Sequence, residues 1–283
     1  MLAFLANFFG YLLNFIYNLI GNYGLAIIFF TILIRLLMLP ITIKQQKTME
    51  KTSKIQDELK SIQFKYKSNP EQLNKETMEL YKRENMSPFS GCISSIVQII
   101  LILSVFYLVR CPLTYMKKTD EIIISDYTSK LEQTTNYSEV QIIKEFGSTD
   151  ERVFLNMNFL GLDLSNVPSS NLNDFKTLII PILYVISSVI SMKMTMNLQN
   201  NKKKLLNEIN SEENNKVKEK NEEDSLDALR NSTNTMSYFM PIMSFSISLV
   251  APLGLALYWL MSNVLMIVER IFINKIAKRG ENI

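Results

Sequence analysis

The chain has no histidine among its 283 residues. That absence removes the commonest general base, the commonest metal ligand and every Ser-His or Cys-His nucleophile pair. Two cysteines remain, Cys92 and Cys111. If they flank one membrane helix, about 19 residues at 1.5 Å rise hold them roughly 28 Å apart, too far for a disulfide within the chain. Neither zinc nor redox chemistry is expected, nor any cofactor, metal, catalytic residue or nucleic-acid site; the chain reads as a non-enzyme. No internal repeat is visible, unlike the inverted-repeat transporter folds. Lysine and arginine are missing before Arg35, so the N-terminus lacks the basic region of a secretory signal.

What is present is apolar and clustered. Hydrophobic residues make up 47% of the chain, and the mean hydropathy is +0.09. The formal charge of +3 hides segregation, because nearly every charged residue lies between apolar runs. Spanning a hydrocarbon core takes about 20 mostly apolar residues as a helix. Five such segments are expected, at 23–43, 93–111, 174–195, 237–251 and 253–273, the last two divided at Pro252-Leu253-Gly254. Residues 1–22, with Asn14, Asn18 and Asn22 on one stripe, read as an interfacial helix, a full extra crossing being the alternative. The fold class is therefore all-α integral membrane.

Between the spans, 44–92 is polar but periodic. Ile55, Leu59, Ile62 and Tyr66 form one helical stripe, Asn69-Pro70 breaks it, and Leu73, Thr77, Leu80 and Tyr81 start another, which predicts a helical hairpin. The alternative is two solvated helices that merely tie spans together. Residues 112–173 form the outer loop, with a short helix expected over 137–146. Residues 196–236 are polar and mixed in charge, the pattern of a flexible loop, and 274–283 form a tail.

The segment 44–92 carries ten lysines and arginines and 194–236 carries seven, against five in the long loop 111–174. The positive-inside rule then places the N-terminus outside and the C-terminus in the cytoplasm. That parity needs an odd number of crossings, as five spans supply.

One residue asks for an explanation. Arg35 lies twelve residues after Tyr23, about 18 Å into the membrane. It cannot lose its proton at accessible pH, and a central position costs about 2.5–3.5 kcal/mol on insertion scales. No Asp or Glu falls in the interior of a span, the nearest being Glu269 close to the cytoplasmic end of the last. The expectation is therefore a hydrated guanidinium supported by neutral polar groups rather than an ion pair. Candidate groups are Thr31 one turn earlier, Gln98 near Ser94 and Ser95, the stripe Tyr184, Ser188 and Ser191 with Ser187 beside it, then Ser237, Ser244 and Ser248, and Trp259 with Asn263 beside Tyr258 and Ser262. Each stripe alone reads as ordinary interhelical packing. Their concurrence with an uncompensated arginine favours a shared wet cavity.

Four stretches carry a resemblance. NYGLAIIFFTILIRLLMLPITIKQQKTM (22–49), NPEQLNKETMELYKRENMSPFSGC (69–92), NFLGLDLS (158–165) and PLGLALYWLMSN (252–263) resemble, in order and spacing, the YidC/Oxa/Alb family of membrane-protein insertases. The resemblance implies five transmembrane helices around a polar groove open to the cytoplasm and to lipid. Arg35 matches the groove arginine, Thr31 the polar residue one turn before it, Gln98 the glutamine of the second span, and Tyr258 and Trp259 an aromatic pair near substrate. It implies an insertase and chaperone of the bacterial plasma membrane, acting on nascent membrane proteins with short translocated tails, with a Sec-type translocon and the ribosome as further partners. The family's prolines around Gln98 are replaced by Ser94-Ser95 and Ile99-Ile100, no lipobox cysteine precedes the core, and the tail after Lys275 is short for a ribosome-binding extension. The rival reading is a small transporter or channel for an anionic solute bound at Arg35.

Overall fold

The computed structural model describes residues 2–87, 90–132, 135–170, 174–211 and 245–280. It is almost wholly helical. The helices are α1 (Leu2–Ile20), α2 (Tyr23–Lys65), α3 (Pro70–Arg83), α4 (Ser90–Arg110), α5 (Glu121–Lys130), α6 (Ser138–Phe146), α7 (Phe175–Ser211) and α8 (Leu253–Gly280). Residues 245–250 are also helical. A two-stranded hairpin, β1 (Asn158–Phe159) and β2 (Leu162–Asp163), sits in the outer loop with Asn158 opposite Asp163.

Four helical stretches are long and apolar enough to cross a membrane: Leu2–Ile20, Tyr23–Gln45, Phe175–Met194 and Leu253–Ile273. Ile99–Arg110 of α4 is apolar but shorter. Their outer faces stay apolar where a water-soluble protein turns polar: Phe29, Leu36 and Leu37 on α2, Ile186 and Ile190 on α7, and Val268, Ile271 and Phe272 on α8 are exposed. Contiguous apolar exposure on this scale is the signature of a lipid-facing surface. The chain is a multi-pass all-α membrane protein. Of the expected fourth span, 237–244 lies outside the described residues.

The chain divides into two compact units. The first comprises Met1–Met38, Gln98–Ser191 and Met240–Ile283. Its core centres on Phe9, Leu13, Tyr23, Ile27, Phe30, Leu108, Leu113, Met116, Ile142 and Leu253. Phe9 of α1 meets Phe30 of α2 edge-on, ring centroids 5.8 Å apart. Gly10 of α1 lies against the π-helical turn Leu113–Lys117, where a Cβ would sit 1.8 Å from the carbonyl oxygen of Tyr115. Only glycine admits that approach.

The second unit comprises Leu39–Val97 and Met192–Phe239. Within it α2 continues as helix to Lys65, past Pro40 and well beyond the expected end of the span at residue 43. A change in polarity is not a change in backbone preference: Lys, Gln and Glu favour helix as Leu does. The expected break holds. Asn69 caps α3, its Oδ1 accepting from the Gln72 N–H at 3.2 Å, with Pro70 in the first turn. Glu58 of α2 pairs with Arg83 at the far end of α3, and Ile55 and Leu80 are the buried apolar positions of the two arms.

Candidate functional site

The loop 156–166 fixes the register of the site. The first N–H groups of a helix have no intrahelical partner and must find one elsewhere. The Tyr23 N–H donates to the Asn156 carbonyl at 3.0 Å, the Leu253 N–H to Asn166 at 2.9 Å, and the Gly254 N–H to Leu164 at 3.0 Å. Asn22 caps α2 through its Oδ1, which accepts from the Leu25 N–H, and its Nδ2 donates to the Asn158 carbonyl. One loop thus holds the starts of both α2 and α8, so the two run side by side in the same direction. At 1.5 Å per residue Arg35 lies about 18 Å below that loop, Ser262 about 14 Å and Glu269 about 24 Å.

Arg35 meets both. Its Nη2 donates to the Ser262 carbonyl oxygen at 3.0 Å, and its Nη1 stands 3.7 Å from Glu269 Oε2. The Arg35 side chain is 16% exposed and that of Glu269 10%. This corrects the expectation of an arginine with neutral support only. A carboxylate partner exists, because α8 carries its charged residue two turns below Ser262 on the same face, and arginine's length spans the difference in depth. The signal lay in the run VLMIVERIFI (264–273), where Glu269 and Arg270 interrupt apolar residues on both sides. Arg270 in turn donates from Nη1 to the Ser191 carbonyl at 3.0 Å, reaching α7. Ser262 is among the expected polar groups, although Arg35 uses its backbone carbonyl; Glu269 and Arg270 are not among the expected site residues.

The other expected residues are distributed as follows. Thr31 is buried and donates its hydroxyl to the Ile27 carbonyl of its own helix at 2.6 Å. Ser191 supplies the carbonyl that Arg270 uses, while Ser187 donates to Tyr184. Tyr184 and Trp259 bring α7 and α8 together with ring centroids 5.9 Å apart, an arrangement worth about 0.5–1.5 kcal/mol beyond the area it covers. Tyr258 is buried, and Ser188 and Asn263 are half-buried. Ser248 is buried and donates to the Phe245 carbonyl. The side chains of Gln98, Ser94 and Ser95, and residue Ser244, lie outside the described residues.

Beside this polar pair runs a groove of about 400 Å³ between α7 and α8. Leu183, Ile186 and Ile190 line one wall and Leu260, Val264 and Val268 the other, with Ser187 its one polar lining residue. The α7–α8 contacts pair residue 184 with 259 and 191 with 270, so these helices also run in the same direction. Together the elements offer a cation at depth, a nearby carboxylate, and an apolar trough open at its side.

A model of the 60Kd inner membrane protein family matches residues 15–280. The membrane protein insertase YidC of Treponema denticola is 26% identical over 269 residues, which cover 95% of this chain and 37% of that protein. Its counterpart in Caldanaerobacter subterraneus subsp. tengcongensis is 40% identical over 109 residues, 38% of this chain and 53% of the relative. That of Fusobacterium nucleatum subsp. nucleatum is 40% identical over 106 residues, 38% and 52% respectively. The matched regions thus span about half or less of the length of these relatives. Since the family match takes in both α2 with Arg35 and α8 with Ser262 and Glu269, the chain belongs to the 60Kd inner membrane protein family.

Proposed function

We propose that this chain inserts membrane proteins into the bacterial plasma membrane and shelters their hydrophobic segments while they fold. The observation that carries the proposal is Arg35, a permanent cation about 18 Å below the outer loop, seated on the Ser262 carbonyl at 3.0 Å. A cation inside a membrane span is costly, and its retention there points to a task. Its task here is to draw the short polar or acidic tail of an arriving protein into the membrane, because a charge in a low-dielectric setting acts over longer range than in water. The adjoining hydrophobic segment rests in the α7–α8 groove and leaves sideways into lipid. No bond is made or broken, so no catalytic group or cofactor is required.

In this reading the tail passes along Arg35, Ser188, Trp259 and Asn263, with the buried Thr31, Ser191 and Tyr258 backing them; Gln98 belongs to the site by its place in the sequence, its side chain lying outside the described residues. The path opens to the cytoplasm, with five crossings, the N-terminus outside and the C-terminus inside. The common direction of α2, α7 and α8 supports that parity. Three contacts between α1 and the outer loop support an interfacial α1: Asn7 with Lys118, Gly10 with Tyr115, and the Tyr17 hydroxyl with the Asn156 N–H. They are spread over ten residues, about 15 Å of helix.

The test is reconstitution of purified protein in liposomes, offered a single-span protein with an acidic N-terminal tail. Protease-protected tail, and crosslinks from a photoreactive group at Val264 to the apolar segment, are the expected results. Anionic solute flux without tail protection would favour the transporter reading and overturn this one.

A further inference from the structure

The site holds more charge than one arginine. Arg35 and Arg270 contribute two positive charges and Glu269 one negative, a net of +1. The three are not equally held. Arg35 and Arg270 each donate to a backbone carbonyl at 3.0 Å. Glu269 is different: both carboxylate oxygens are buried and accept no hydrogen bond among the described residues. Its distance of 3.7 Å to Arg35 Nη1 is that of an ion pair without a hydrogen bond. So a neutral carbonyl positions the guanidinium, while a charge that does not bond it neutralises it.

A carboxylate normally gains its strength from short, charge-assisted hydrogen bonds. One that is buried without any of these is readily displaced by an arriving carboxylate that binds Arg35 directly. We infer that Glu269 is a resident counter-ion, a specificity-determining residue that occupies Arg35 until an acidic peptide segment replaces it. The site then selects tails by the number of carboxylates they bring. One carboxylate meets a competitor of its own kind; two or more outnumber it. Arg270, tied to Ser191 of α7, keeps the site cationic throughout. This inference rests on the insertase reading above.

The experiment uses the full chain in proteoliposomes and four single-span substrates whose translocated tails carry zero, one, two or three aspartates. In the wild type, protected tail rises most steeply between one and two aspartates. Glu269→Gln removes the competitor at nearly constant volume and raises protection of the one-aspartate tail at least about fivefold, the lower end of a typical coupling between sites. Protection of the neutral tail changes less than that of the one-aspartate tail. Equal change for all four tails, or an unchanged dependence on aspartate number, overturns the inference. Should Glu269→Gln not fold, Glu269→Asp draws the carboxylate back from Arg35 and lowers the threshold in the same direction, and an unchanged threshold there overturns it equally. Failure of the wild type to insert any of the four defeats the insertase reading instead, so the two failures are distinguishable.

Discussion

The carboxylates of the outer loop and the carboxylate at depth are held in opposite ways. Glu139 of α6 is buried, yet it accepts from the Thr114 N–H at 2.9 Å and from the Thr114 hydroxyl at 2.6 Å, fastening α6 to the π-helical turn. Asp150 accepts from the Arg152 guanidinium, the Arg152 N–H and the Tyr127 hydroxyl, and the first of these does most to hold its carboxyl well below the usual carboxylate range. Glu269 accepts no hydrogen bond among the described residues and stands 3.7 Å from Arg35. Saturated carboxylates fix a structure in one arrangement; an unsaturated one leaves room for exchange. The outer loop is thus a rigid bracket from which α2 and α8 hang, and the depth is where the molecule keeps an unfilled valence.

Substitutions that cross this division should have unequal effects. The largest is at depth: Arg35→Ala should reduce insertion of acidic-tailed substrates at least about tenfold, the scale of one lost charge-assisted contact, while Arg35→Lys retains part of it. Protease protection in proteoliposomes measures both. Equal insertion by Arg35→Ala would erase the functional half of the comparison. Next comes the bracket. Gly10→Val drives a side chain into the Tyr115 carbonyl, which as backbone cannot step aside, and should cost about 1–3 kcal/mol or more, read as thermal stability in detergent.

Glu139→Ala should follow at about 1–3 kcal/mol, since it leaves the Thr114 donors without their acceptor. Its effect should be the same for acidic and neutral tails, and a tail-dependent loss would blur the division. The smallest effect is on pH. Burial pushes the Glu139 carboxyl above its ordinary value of 4.5, against the pull of the Thr114 bonds. A group raised in the folded state stabilises most when protonated. Its contribution is full below 4.5 and lost as pH rises through the folded value. The thermal midpoint should therefore climb modestly on acidification from neutrality toward 4.5, and Glu139→Gln should flatten that slope.

Much of this was legible in the sequence, and the reasons differ by residue. Arg35 stood out because a charge inside an apolar run is expensive, and the hairpin break was marked by Asn69-Pro70, whose capping and ring geometry are local. The division at Pro252 was equally local. The partner of Arg35 was not legible, because depth along α8 is set by loop 156–166, through hydrogen bonds that join residues more than 80 positions apart, such as Leu253 with Asn166. Periodicity carries no such information. Counted from the end of the apolar run, Glu269 seemed too low; counted from the Leu164 and Asn166 carbonyls, it lies two turns below Ser262 and within reach. The uninterrupted α2 was missed for another reason, since polarity changes at Lys44 while helix preference does not. The Glu139 anchor left no pattern at all: it is one glutamate among many, distinguished only by what folds over it.

The proposed insertase path requires that solvent from the cytoplasm reach the Arg35 seat inside the membrane. The most direct measurement is labelling of Ser262→Cys, in a chain with Cys92 and Cys111 replaced by serine, by a membrane-impermeant maleimide added to sealed vesicles from the cytoplasmic side. The account predicts that the thiol reacts, and that an acidic-tailed substrate slows the reaction. A thiol that stays unmodified until detergent dissolves the bilayer would contradict it.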